Sequence, residues 1–186
     1  MCTMLAIALA GSRSITSHHA IAPVVQAALA SGASLSVGCC VGADALCIHA
    51  ALAIPSGPQA LHIYGIGCCV GASARGWCSL SAVGEVRAAL AAGAHVLPWC
   101  GGSARIPLAA RLVRRSQAVV ASAQALMLFS PGFGSLATAA FAAARSMPVF
   151  VFGAPPAPVC AGGKWAQSSL FGRPCWAWQP TQARLI

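Results

Sequence analysis

Acidic residues are almost missing from this chain of 186 residues, which contains Asp44 and Glu85 against eleven lysines and arginines. The formal net charge is therefore +9, and every basic residue except Lys164 is an arginine. Arginine is the better side chain for bidentate phosphate recognition. This balance predicts a polyanionic or phosphate-bearing partner. A coding bias toward alanine, glycine and arginine would produce the same imbalance without any binding role.

Long apolar runs are also absent, although 58% of the residues are hydrophobic. Gly, Pro, Arg, His or Ser interrupts every apolar run before it reaches the roughly 18 residues of a membrane span. Residues 1–14 lack the basic start of a signal peptide. The ten cysteines include no CxxC spacing, so no zinc site is predicted and the thiols are expected to be reduced. We expect a cytoplasmic protein without a metal or a cofactor.

The clearest pattern in the sequence is a strand–turn–helix–strand unit near the C-terminal end. Leu126 to Phe129 is a short apolar run that predicts a buried strand. A glycine turn, Ser130 to Ser135, leads into an alanine-rich helix, Leu136 to Arg145, and then to a second strand, Val149 to Phe152. Backbone N–H groups in such a turn and the helix dipole favour an anion, for which phosphate is the natural candidate. A tight turn with nothing bound is the alternative.

Strands alternate with helices along the rest of the chain, from a first strand at Leu5 to Ala10. This alternation predicts an α/β fold, a Rossmann-like three-layer sandwich with a mostly parallel sheet. We expect residues 1–153 to form that domain. Ligands of such sheets bind beyond the carboxyl ends of the strands. Four turns are predicted to gather there, at Gly11–Arg13, Gly38–Asp44, Gly101–Ser103 and Gly132–Ser135.

Residues 154–186 have a different composition, rich in proline and tryptophan. We expect this extension to pack on the domain. Its tryptophans either cover part of the sheet or form a stacking platform for bases beside Lys164, Arg173 and Arg184.

The order of these turns resembles the DNA-processing protein A family (DprA/Smf), within the Rossmann-like SLOG superfamily that includes the LOG-type phosphoribohydrolases. Gly11-Ser12-Arg13 is similar to the superfamily's GSR turn, and Gly38 to Asp44 is similar to its G-x-A-x-G-[IA]-D turn. Arg114-Arg115-Ser116 stands where the DprA family has Arg-Asn-Arg, and Gly134 to Ala139 is similar to its GSLxTA segment. The resemblance covers roughly Leu5 to Gly153.

The resemblance implies a protein that binds single-stranded DNA or a nucleotide and that often forms dimers. The implied phosphate- and nucleotide-binding residues are Gly11, Ser12, Arg13, Gly38, Gly42, Asp44, Gly132, Phe133, Gly134, Ser135 and Thr138. The implied nucleic-acid-binding residues are Arg111, Arg114 and Arg115. Asp44 could contact a ribose or cap its helix, and the arginines could equally form a solvated helix face. We expect no nearby acid to pair with them.

Catalysis has weaker support in the sequence than binding. The glutamate of LOG-type enzymes would fall at Thr138, and its loss argues against cleavage of an N-glycosidic bond. No Ser-His-Asp or Cys-His arrangement is evident. We therefore expect a non-catalytic protein that holds single-stranded DNA. A pocket for a small nucleotide or nucleotide-derived signal, and a nucleotide N-glycosidase-type enzyme, are the alternatives.

Overall fold

A computed structural model of the chain describes residues 5–68, 76–157 and 163–180. Strands and helices alternate as far as the sixth strand, and two further strands follow. The elements are β1 (Ala6–Gly11), α1 (Ala22–Ala30), β2 (Ser34–Val37), α2 (Ala43–Leu52), β3 (Leu61–Tyr64), α3 (Val83–Ala91), β4 (His95–Leu97), α4 (Leu108–Ala121), β5 (Ala125–Phe129), α5 (Phe133–Ala144), β6 (Val149–Phe152), β7 (Gly163–Leu170) and β8 (Arg173–Pro180). No helix in the described ranges is long and apolar enough to cross a bilayer.

These strands form one sheet in the order β4-β3-β2-β1-β5-β6-β8-β7. The first six strands of this order run parallel to one another. β8 runs antiparallel to both of its neighbours, β6 and β7. The direction of chain progression reverses between β1 and β5, which is where a doubly wound sheet leaves a crevice for a ligand. The predicted fold class, a Rossmann-like α/β sandwich with a mostly parallel sheet, is confirmed.

Helices cover both faces of the sheet and bury a core on each side. On one face, α1, α2 and α3 pack against Met127 and Phe129 of β5 together with β1, β2 and β3. On the other face, α4 and α5 pack against Leu126 and Leu128. Because both faces are covered, all five residues of β5 are buried and its sequence is an unbroken apolar run.

The sequence predicts a helix from Arg105 to Ala121 and a strand from His95 to Trp99. Prolines account for one boundary of each that differs in the structure. α4 begins at Leu108 rather than at Arg105, because Pro107 has an extended backbone (ψ 139) and restricts the residue before it. β4 ends at Leu97 rather than at Trp99, because Pro98 has no N–H to donate and Trp99 has a positive φ of 57. Part of the loop predicted over residues 65–83, residues 69–75, lies outside the described residues.

The C-terminal extension contributes a hairpin to the sheet. β8 pairs with β6 through Phe150 with Ala177 and Val151 with Trp176. Trp178 is buried in the core under α4 and α5, and Trp165 meets it edge to face at 5.2 Å. These tryptophans therefore pack on the protein. Lys164 and Arg173 are exposed, and Arg184 lies outside the described residues.

The β3–β4 edge yields a prediction about pH. His62 and His95 are register partners whose rings stack at 4.9 Å, and burial, followed by the charge of His95, lowers the pKa of His62. As the pH falls through about 6.5, the unfolded chain binds a proton that native His62 does not bind. We therefore expect the free energy of unfolding to decrease as the pH is lowered through this window. In urea titrations from pH 8 to pH 5, His62→Asn should flatten this pH dependence. An unchanged dependence in His62→Asn would contradict this assignment.

Candidate functional site

A cavity of about 440 Å³ opens at the point where the strand order reverses. Its walls come from the turn after β1, the start of α2, the middle of α4 and one face of α5 from Phe133 to Phe141. The predicted site residues that line it are Gly11, Ser12, Arg13, Asp44, Arg115, Gly132, Phe133, Gly134, Ser135 and Thr138. Gly38, Gly42, Arg111 and Arg114 do not line it, and neither does the turn at Gly101–Ser103. Two of the four predicted turns thus meet here, with Cys40 and Asp44 contributed by a third.

The turn after β1 is held against β5 and α2 by close backbone contacts. The amide of Ser12 donates to the carbonyl of Phe129 (3.1 Å), and the amide of Ala43 donates to the carbonyl of Ser12 (3.0 Å). A Cβ at Gly11 would lie 2.3 Å from the Phe129 oxygen, so only glycine permits this approach. The exposed Arg13 follows at the rim of the cavity.

The amino end of α5 forms the facing wall. The helix begins at Phe133 with Gly132 as its N-cap, so Gly134 and Ser135, predicted to lie in a loop, belong to its first turn. The amide of Leu136 donates to the carbonyl of Gly132 (2.9 Å). The amides of residues 133–135 come before this first helical hydrogen bond and therefore have no acceptor within the helix. A Cβ at Gly132 would lie 3.9 Å from Oγ of Ser12, so the two turns face each other across a narrow gap. Amides and a helix dipole at such a position favour an anion.

A buried ion pair forms the floor of the cavity. Nη1 of Arg115 lies 3.2 Å from Oδ2 of Asp44, and both side chains are more than nine-tenths buried. The same carboxylate oxygen accepts from the amide of Cys40 (3.1 Å). Burial would lower the pKa of Arg115, but the Asp44 carboxylate beside it raises the pKa above its ordinary value. Arg115 is therefore a permanent cation.

This pair corrects two expectations from the sequence. An acid does lie beside Arg115, because the start of α2 and the middle of α4 reach the same edge of the sheet from its two faces. Asp44 does not cap its helix, whose N-cap is Gly42. Gly38 makes room for the pair, since a Cβ there would overlap the Arg115 guanidinium and come within 2.3 Å of Asp44. Gly42 has a φ of 79 and packs on the backbone of Arg13.

The three arginines of α4 are separated by the helix. Arg111 and Arg115 lie one turn apart and point inward, whereas Arg114 is exposed. The Arg111 guanidinium donates to the carbonyls of Ile66 and Gly76 and lies over the Trp99 ring at 5.7 Å. Arg111 therefore holds neighbouring segments of its own chain, and a nucleic-acid-binding role of these arginines stays a prediction.

The buried arginines and Cys40 determine the polar chemistry at the floor of the cavity and beside it. Among the described residues, Nε of Arg111 and Nε of Arg115 are buried without a hydrogen-bond partner. Nη2 of Arg115 donates to Sγ of Cys40 (3.1 Å). The hydrogen bond with Cys39 and burial raise the pKa of Cys40, so this cavity-lining thiol stays protonated at neutral pH. Cys40 is therefore a poor nucleophile.

Further lining residues were not predicted from the sequence. They are Ala10, Ser14, Cys40, Leu112, Val113, Ser116, Gln117, Ala137 and Phe141. Phe133, Ala137 and Phe141 are spaced by four residues and share one face of α5, a helical period that the sequence does contain. The α4 residues carry no such signal, because their exposure to the cavity depends on how α4 lies across the sheet.

Comparison with known proteins places the fold. No family model matches the sequence, and no curated protein has a significant match to it. The structure resembles DNA processing protein A from Helicobacter pylori. The match has a TM-score of 0.62 and 14% sequence identity, and it covers 82% of this chain and 67% of the other. That structure is described as showing a unique single-stranded DNA binding mode of DNA processing protein A.

At this identity the similarity establishes the fold and leaves the ligand open. It confirms that the chain has a fold like that of DNA processing protein A, as its motifs had suggested. The wider superfamily assignment stays a prediction.

The ion pair leads to a prediction about stability. Arg115→Met leaves the Asp44 carboxylate buried without its partner, which should cost about 3–5 kcal/mol in free energy of unfolding. The double variant Arg115→Met/Asp44→Asn removes both charges and keeps an acceptor for the Cys40 amide. We expect it to recover much of the loss in urea denaturation. Additive effects of the two single substitutions would contradict a direct interaction between these side chains.

Proposed function

We propose that this protein binds single-stranded DNA without catalysing a reaction, with a phosphate held between the turn after β1 and the amino end of α5. The observation that carries the proposal is the meeting of these two turns at the strand-order reversal, around a cavity floored by Arg115. Ser12 and Gly132 approach within a few ångströms there. Backbone amides and a fixed cation are the groups that recognise phosphate irrespective of base sequence.

The charge of the whole chain supports a polyanion as the ligand. The net charge is +9, and Arg13 lies exposed at the rim. Asp44 offsets part of the charge of Arg115 inside the cavity. The attraction for a strand therefore comes chiefly from the amides, from Arg13 and from the field of the remaining arginines.

A binding role also agrees with how the polar side chains of the cavity are engaged. Oγ1 of Thr138 donates to the carbonyl of Gly134 (3.0 Å), and Oγ of Ser135 donates to that of Gly132 (2.9 Å). Asp44 is engaged by Arg115, and the Cys40 thiol is protonated. Each of these side chains has a partner within the protein, which suits a preformed site that holds a ligand. The fold of DNA processing protein A, whose single-stranded DNA binding mode has been described, is consistent with this role.

The proposal predicts salt-dependent binding in which Arg13 takes part. A fluorescent 20-nucleotide single strand should bind at low salt. The logarithm of its binding constant should fall linearly with the logarithm of the salt concentration. Arg13→Gln should weaken binding roughly 3- to 10-fold and reduce the salt slope by about 0.7, the value for one phosphate contact on a single strand.

Arg173→Gln is the matched control, since Arg173 is an exposed arginine on β8 outside the cavity. It should leave the slope nearly unchanged. Equal effects of the two substitutions would assign binding to net charge alone. A wild-type protein that fails to bind at low salt would overturn the proposed function.

A small nucleotide is the second candidate ligand, because a cavity of about 440 Å³ has the size of a small-molecule pocket. A mononucleotide such as AMP would then raise the melting temperature, since it binds only the folded state. Oligonucleotides would fail to compete with it. Competition by oligonucleotides would instead favour the strand as the ligand of this cavity.

A further inference from the structure

Phe133 is exposed to a degree that sets it apart from every other large apolar side chain in the described residues. Its exposure is 97%, whereas the next most exposed, Val113, stands at 55%. Phe133 is the first residue of α5 and lines the mouth of the cavity. A whole phenyl ring in water contributes nothing to the core, so the folded chain gains no stability by placing it there.

The glycine after this ring has no structural reason to be a glycine. Gly134 lies in the helix, where glycine is less favourable than alanine, and its φ is not positive. A Cβ at Gly134 would meet nothing within 4 Å apart from its chain neighbours. The first turn of α5 is therefore open to solvent at Gly134.

Phe133 is the first residue of an apolar strip along α5, which begins at the amino end where we propose that a phosphate binds. Phe133, Ala137 and Phe141 lie on one face of α5 and all line the cavity. The same cavity contains the guanidinium of Arg115, which is 7% exposed and whose Nε has no partner among the described residues. Anion-binding amides, an unsatisfied buried donor and an exposed aromatic ring thus occur within one cavity, which is the combination that a nucleotide unit requires.

We propose that Phe133 is a stacking surface for a base of the bound strand, and that Gly134 keeps the first turn of α5 free of a side chain where the nucleotide approaches. This inference rests on the proposed function and adds the contact to the base. With a phosphate at the amino end of α5, the base of the same or the adjacent nucleotide lies over the ring. Stacking on a phenyl ring accepts any of the four bases, so the contact adds affinity without reading sequence.

The first experiment separates the base contact from the phosphate contact. Phe133→Ala should weaken binding of the 20-nucleotide strand by about 5- to 100-fold, the range of one base–aromatic stack. The salt slope should stay the same, because no charge is removed. Phe133→Trp should retain binding. An abasic strand should bind wild type and Phe133→Ala equally, which a merely structural role for the ring would not produce.

Leu90→Ala is the matched control, because Leu90 is an exposed apolar residue on α3 outside the cavity. It should leave binding unchanged. Since Phe133 is almost fully exposed, Phe133→Ala should also keep the wild-type melting temperature.

The second experiment uses the glycine. Gly134→Ala should raise the melting temperature by about 2 °C, because alanine favours the helix. The same substitution should weaken binding of the strand several-fold, since its methyl group occupies open space at the first turn of α5, where the nucleotide approaches. A more stable variant that binds as well as wild type would overturn the role of Gly134.

The outcomes keep this inference distinct from the proposed function. Wild type that binds with a normal salt slope, together with Phe133→Ala of equal affinity, overturns the stacking contact and leaves the proposed function standing. Failure of wild type to bind at low salt overturns both. If Phe133→Ala instead converts a dimer to a monomer in light scattering without changing affinity per chain, a second copy covers the ring and the stacking role is wrong.

Discussion

The buried pair of Arg115 and Asp44 is the interaction on which the architecture of the site depends. It joins α2 to α4 across the carboxyl edge of the sheet, between residues separated by 71 positions in sequence. The absence of a side chain at Gly38 makes the space for it, and the Cys40 amide gives the carboxylate a further donor. A buried charge without a partner is strongly destabilising, so these two helices are constrained to meet at this distance. The floor of the cavity follows from that constraint.

Positive charge has two separate uses in this chain. Arg111 and Arg115 are internal, and their guanidinium groups hold backbone carbonyls, a thiol and a carboxylate in place. Arg13 and Arg114 are exposed and contribute to the field that a polyanion would meet. An excess of arginine in a sequence therefore overstates the basic surface, because the long guanidinium side chain also serves as a multivalent internal donor.

Glycine likewise has two uses that look the same in the sequence. Gly11, Gly38 and Gly42 are required by close approaches within the protein, since a Cβ at each would meet protein atoms at less than 3 Å. A Cβ at Gly134 would meet nothing within 4 Å apart from its chain neighbours and its own helix backbone, so its small size leaves open space at the first turn of α5. Only the surroundings of a glycine distinguish one that permits packing from one that leaves room for a ligand.

The sequence alone determined the order of elements, the parallel sheet and the edge at which the turns lie. These features follow from local signals: apolar runs of strand length, helical periodicity and glycine turns, each contained in a short stretch of chain. It also identified the residues of the turns after β1 and β5 that line the cavity. Tertiary structure decided which side chains of α4 point inward, that Asp44 pairs with Arg115, and that the turn at Gly101–Ser103 does not line the cavity. Such outcomes depend on the rotation of each helix against the sheet and on contacts between distant segments, for which a single sequence contains no local signal.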